Sequence, residues 1–204
     1  MKLRLVALLV VVGLGCVPAE PTGRPAYSFS LPDGGLVEGA KESPVVLVEF
    51  GSLRCPYCRQ FHDSLFPYLH DRYVSRGKLR FRYVGLDTSE ALDTLTAGIM
   101  CTSPGVGGAG VVQAAFMAVG DSGARIPGAS PSQLVPGSEC IESAARRLRA
   151  EARAAAEFGV RGSPTFLIGA LRPRNEYVGW VIQGLRDSQV VAAVDSALVL
   201  LEPD

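Results

Sequence analysis

The sequence predicts an α/β fold in which a βαβ unit and a C-terminal ββα unit are separated by a helical insertion. Three observations predict it. Residues 44–50 (PVVLVEF) are a short β-branched apolar run, followed at once by helical periodicity and then by an alternating segment at 79–86. Two further strand-like segments, 165–168 and 177–182, precede an amphipathic stretch. Between these halves lie Ala-rich, helix-favouring residues broken by a Gly/Pro/Ser segment.

Taken in order, Lys2 and Arg4 precede an uncharged apolar run at 5–14, closed by small residues and Cys16, the layout of a secretory signal. About ten residues are too short to span a bilayer as a permanent helix, so a signal covering 1–16 and export are expected. Two cleavage points are open. One follows Ala19; the other lies directly before Cys16, where the segment resembles a bacterial lipoprotein signal, although Gly13 stands where such signals usually have leucine. The second makes Cys16 the lipidated residue, and the membrane would then be met only through that anchor. Residues 17–35, with Pro18, Pro21, Gly23 and Pro25, read as a tether, and 36–201 as one domain.

From Cys58 to Arg76, the apolar residues Phe61, Leu65, Tyr68, Leu69 and Tyr73 recur at helical spacing, with Pro67 expected to kink the helix and Gly77 to stop it. Residues 79–86 alternate apolar and basic side chains, as a half-buried strand does. Strand, helix and strand in this order imply a right-handed crossover between parallel neighbours. The insertion, at about 89–158, reads as helices at 89–100, 111–119 and 141–158, with a loop at 121–138 and a stop at Gly159. The GVGGAG stretch at 105–110 lacks the Lys-Ser/Thr of a phosphate loop and reads as loop. Arg172 to Asn175 turn the hairpin, and Asp187 or Ser188 caps a final helix at 187–201.

Twenty basic residues balance twenty acidic ones, so no global field recruits nucleic acid or an anionic membrane surface. The arginines at 146, 147, 149 and 153 read as a solvated helix face. Of five cysteines, Cys16 is lipidated or removed with the signal; the other four divide most economically into Cys55/Cys58 and Cys101/Cys140. A structural Cys101–Cys140 disulfide would close a long loop, the alternative being two separately buried thiols.

The chemistry concentrates at Cys55-Pro56-Tyr57-Cys58. A thiol reacts as its thiolate, and Cys55 at a helix start meets unsatisfied N–H groups and the positive end of the helix dipole, with Arg54 and Arg59 close in sequence. Cys58, one turn further in, is the resolving thiol. Pro56 and Tyr57 tune the redox potential by fixing the backbone around the sulfurs. No cofactor is required. The competing reading is a metal site using Cys55, Cys58 and His62 (C-x-x-C-x-x-x-H), which lacks a fourth ligand. Otherwise His62 reads as a helix-surface residue or a tuner of Cys58, and His70 as a solvated helix residue.

The string from Val48 to Cys58 (VEFGSLRCPYC) resembles the DsbA-like branch of the thioredoxin superfamily, and Gly159 to Gly169 (GVRGSPTFLIG) is similar to that superfamily's cis-proline segment. The resemblance covers about residues 36–201 and implies a thioredoxin-like fold whose insertion matches that branch. It implies Cys55 as nucleophile, Cys58 as resolving cysteine, and Pro164 as the cis-proline beside which an extended substrate pairs. Glu49 would be the buried proton-transfer glutamate, against the alternative of an exposed strand-end residue. Ser163 departs from the Thr or Val common in relatives and so alters redox tuning. Cys101 and Cys140 look like the extra cysteine pair of some relatives. Implied partners are cysteine-containing exported proteins and a membrane redox partner for regeneration. Alternatives within the class are a dedicated reductase for a narrow client and, less favoured, an isomerase.

Overall fold

The computed structural model describes residues 27–29, 36–86, 90–102, 107–119, 138–155, 159–173 and 176–201. The predicted signal, Cys16 and the 121–137 part of the predicted loop lie outside them. Six strands form one sheet: β1 Tyr27–Phe29, β2 Leu36–Glu38, β3 Val45–Gly51, β4 Leu79–Gly85, β5 Thr165–Arg172 and β6 Glu176–Gln183, in the order β1-β6-β5-β3-β4-β2. β3 and β4 run parallel, as the βαβ reading requires, and every other pairing is antiparallel. The fold is thioredoxin-like with a helical insertion.

β3 is buried along its whole length because both faces of the central sheet are covered. Val45, Leu47 and Glu49 face the larger core with α1, while Val46, Val48 and Phe50 pack with Leu167 and Val84 on the other side. The helix after β3, here α1, is continuous through Pro56–Gln60, Phe61–Leu65, Phe66–Leu69 and His70–Val74. The second and fourth of these are π-turns: the Phe66 N–H donates to Phe61 O, and the Ser75 N–H to His70 O. Pro67 sits directly after the first π-turn, where the widened spacing accommodates the residue that can neither donate nor tolerate a close preceding carbonyl. The remaining helices are α2 Glu90–Thr102, α3 Gly108–Val119, α4 Ser138–Ala154 and α5 Asp187–Val199.

Several sequence expectations are adjusted. A strand, β1, lies within the 17–35 stretch read as a tether: Tyr27 to Phe29 pair with β6, and buried Phe29 stacks on Tyr177. The helix expected at 111–119 begins at Gly108, inside the glycine run read as loop. There a side chain at Gly108 would lie 2.4 Å from the Leu36 backbone, and Glu38 Oε2 accepts the Ala109 N–H at 2.8 Å. Close approach of β2 therefore demands glycine, and β2 supplies the helix cap from outside the helix. Neither Asp187 nor Ser188 caps α5: Arg186 occupies that position, and no side chain bonds the free amides there. Gly159 does adopt the left-handed conformation, with φ +69°.

The Cys101–Cys140 disulfide joins α2 to α4, with Cα atoms 6.2 Å apart. Ala97, Ala145 and Leu148 form a small core between the same helices, and Arg149 pairs with Asp93 at 3.6 Å.

Candidate active site

β3 ends at Gly51, and the chain turns through Ser52 to Arg54 before α1 begins at Pro56. The turn is fixed by the Cys55 N–H donating to Ser52 O at 3.0 Å and the Arg54 N–H donating to Ser52 Oγ at 3.1 Å. Cys55 is thereby the N-cap residue of α1, extended at φ −85° and ψ 117°, with Pro56 in the first turn, where its missing N–H costs nothing. No side chain caps this end, so Cys55 occupies the position toward which the helix's orphan amides and positive dipole end are directed.

The two thiols differ in setting. Cys55 is half-buried and Cys58 wholly buried. Burial pushes the Cys58 thiol far above the usual range, and the charge of Glu49 adds to this. A hydrogen bond from the Ser52 amide opposes it, and a hydrogen bond to Cys55 raises it further. Cys58 therefore holds its proton while Cys55 faces solvent. Tyr57, between them, is 61% exposed.

Opposite the cysteines, the Ser163–Pro164 peptide is cis, and the Cys55 thiol donates to Ser163 O at 3.4 Å. The following strand holds this loop in place: Thr165 Oγ1 lies 2.6 Å from Gly162 O and 2.8 Å from Gln183 Oε1, and the Gly184 N–H donates to Pro164 O at 2.8 Å. Segments more than a hundred residues apart in sequence thus meet at Cys55.

Behind Cys58 lies Glu49, fully buried on β3 between Tyr83 of β4 and Phe166 of β5. Its Oε2 is 2.7 Å from His62 Nε2, while its Oε1 has no hydrogen-bond partner among the described residues. His62 is not the surface residue the sequence suggested. It is 4% exposed and ringed by Phe61, Phe66, Phe81, Tyr83 and Phe116 at centroid distances of 5.2–6.2 Å. Helical spacing explains this: Cys58, His62 and Leu65 fall on one buried face of α1. Its Nε2 is directed at Glu49, and among the described residues no three potential metal-ligating side chains converge, so the Cys55/Cys58/His62 metal reading is not favoured. His70 also has partners, Glu38 at 3.1 Å and Asp71 at 3.4 Å, because β2 lies against α1 there.

Arg59, next to Cys58 in sequence, donates to Phe116 O at 2.9 Å and lies over the Phe116 ring at 5.6 Å. The guanidinium meets the carbonyl-rich last turn of α3, which fastens the insertion to the cysteine helix.

Comparison with known proteins places these features. A family model described as thioredoxin matches residues 32–104. Disulfide bond formation protein D of Bacillus subtilis is 34% identical over 53 residues, 26% of this chain and 24% of that protein. The chain spans between 19% and 41% of the length of the curated relatives it matches. Among solved structures, Pseudomonas aeruginosa DsbA2 superposes with a TM-score of 0.60 at 19% identity, over 85% of this chain and all of that one. Oxidised BdbD from Bacillus subtilis gives 0.58 at 17%, over 87% and 97%.

Proposed function

For a chain that is DsbA-like in fold, we propose the activity of a thiol-disulfide oxidoreductase, exported by the signal at 1–16, that forms or exchanges disulfides in extracytoplasmic proteins. The observation that carries this reading is the asymmetric thiol pair: Cys55 accessible at the uncapped start of α1 and facing Ser163 O, Cys58 buried with a raised thiol beside Glu49. In the oxidising direction a client thiolate attacks Cys55 Sγ of the Cys55–Cys58 disulfide. Cys58 leaves with the electron pair and takes up a proton, and a second client thiolate then attacks the client sulfur of the mixed disulfide, releasing the Cys55 thiolate. Reduction runs the same steps backward. An extended client segment would pair with the backbone beside Pro164, and half-exposed Ser163 would touch both client and sulfur.

Clients are cysteine-containing exported proteins, and a membrane redox partner resets the pair. Lipidation at Cys16 would hold the domain near that partner. The test is disulfide exchange with a cysteine-containing peptide. Cys55→Ser is expected to abolish it, and Cys58→Ser to accumulate a mixed disulfide at Cys55, seen by mass spectrometry. Undiminished exchange by Cys55→Ser would overturn the reading. The reduction potential then gives direction: a strongly oxidising value marks a disulfide donor, a thioredoxin-like value a reductase.

A further inference from the structure

The Glu49–His62 pair has a feature the exchange chemistry alone does not require. A buried carboxylate is costly unless its oxygens are satisfied, yet among the described residues only Oε2 is paired, at 2.7 Å from His62 Nε2, and Oε1 has no hydrogen-bond partner. The space around Oε1 is also kept open on the strand itself: a Cβ at Gly51 would stand 2.9 Å from Oε1 and 2.6 Å from the Tyr83 ring. Cys58 and His62 lie four residues apart on the same buried helix face, so the strand carboxylate faces both.

We propose that His62 is the positioning residue for the Cys58 step: its Nε2–H holds Oε2 of Glu49, and Oε1 is thereby the oxygen that exchanges a proton with the Cys58 thiol. The proposal rests on the oxidoreductase reading above. When Cys58 attacks, its proton passes to Oε1, the sulfur bonds to Cys55 Sγ, and the former partner of Cys55 leaves as a thiolate. When Cys58 is the leaving group, the same proton returns from Oε1. In both directions Oε2 remains an acceptor for His62, so the imidazole carries its proton on Nε2 and need not change state.

The aromatic ring contacts of Phe61, Phe66, Phe81, Tyr83 and Phe116 fix the imidazole from α1, β4 and α3. Titratable groups facing the pair include Cys58 from α1 and Tyr83 from β4, while Arg59 donates to Phe116 O of α3. Without His62 Nε2 on Oε2, both carboxylate oxygens would compete for whatever donor the pocket offers, and the transfer geometry would be lost.

Mixing the reduced full-length protein with a chromogenic aryl disulfide separates the steps. The first aryl thiolate is released when Cys55 attacks and the second when Cys58 resolves. The two electrons lost by the thiol pair reduce the reagent to two thiols. In wild type the second phase should be nearly flat from pH 6 to 8. In His62→Phe and His62→Leu it should slow by about tenfold or more near pH 7, less than the ~10²–10⁴-fold that a positioned proton-transfer group supplies, because Glu49 itself remains. It should also become proportional to hydroxide, while the first phase stays within about twofold. His62→Gln, which keeps a donor near Oε2, should recover most of the second phase. Near-ultraviolet circular dichroism identifies any variant that does not fold, in which case the remaining pair decides. A second phase of unchanged rate and pH profile in a folded apolar variant overturns the positioning role. Loss of the first phase in wild type would instead overturn the oxidoreductase reading.

Discussion

At the scale of single residues, the site is made by side chains whose meaning depends on what lies across the sheet. Gly51 illustrates this. It carries no chemistry and is not in the left-handed region, yet a methyl group there would strike Tyr83 at 2.6 Å and Glu49 Oε1 at 2.9 Å. Gly51→Ala is expected to destabilise the protein by about 1–3 kcal/mol, the usual range for overpacking a filled core, read from the urea midpoint. The same variant should slow the Cys58 phase more than the Cys55 phase, because it displaces the carboxylate. Cys55, Cys58, Pro164 and Glu49 stand out in the sequence because each sits inside a contiguous motif. The burial of His62 was not read from it. Its partner is thirteen residues away on another element, and the signal that would have found it was its place in the buried row Cys58, Phe61, His62, Leu65.

At the scale of elements, helix α1 was legible and its internal form was not. Hydrophobic spacing near 3.6 locates a helix, but two five-residue turns shift that spacing only slightly, and Pro67 announced an irregularity without saying which kind. The start of α3 was hidden for a related reason. Glycines at 107 and 108 signal loop in isolation, whereas here they let β2 pass close enough for Glu38 to cap the helix. Glu38→Ala should therefore fray α3 from its first turn. The expected cost is about 0.5–2 kcal/mol, as for loss of an N-cap, with faster amide exchange at 109–112 and little change at 116–119, where Arg59 still holds Phe116 O.

For the whole molecule, two constraints act across elements. The Cys101–Cys140 bond closes 39 residues of chain, for which the loop-entropy model gives about 4 kcal/mol. Replacing both cysteines by serine should lower unfolding free energy by up to that amount while leaving the first thiol phase intact, since neither residue belongs to the site. The second constraint is the proton on Cys58. Its thiol is raised in the folded, reduced protein by burial first and by Glu49 second, so the folded state keeps a proton that the unfolded chain loses near pH ~8.5. The unfolded state then binds fewer protons, and stability falls as pH rises. The contribution is fully present below about pH 8 and declines above it, so reduced wild type should lose about 1.4 kcal/mol more than reduced Cys58→Ser between pH 7.5 and 9.5. Tyr73 is also pushed up, by burial and by its hydrogen bond to Asp195, and acts in the same sense at higher pH. It is present in both proteins and cancels in the difference. Denaturant midpoints at the two pH values check this, and parallel curves for the two proteins would show that Cys58 is not held protonated by the fold. In the oxidised protein that proton is gone, so redox state and alkaline stability are linked through one buried sulfur.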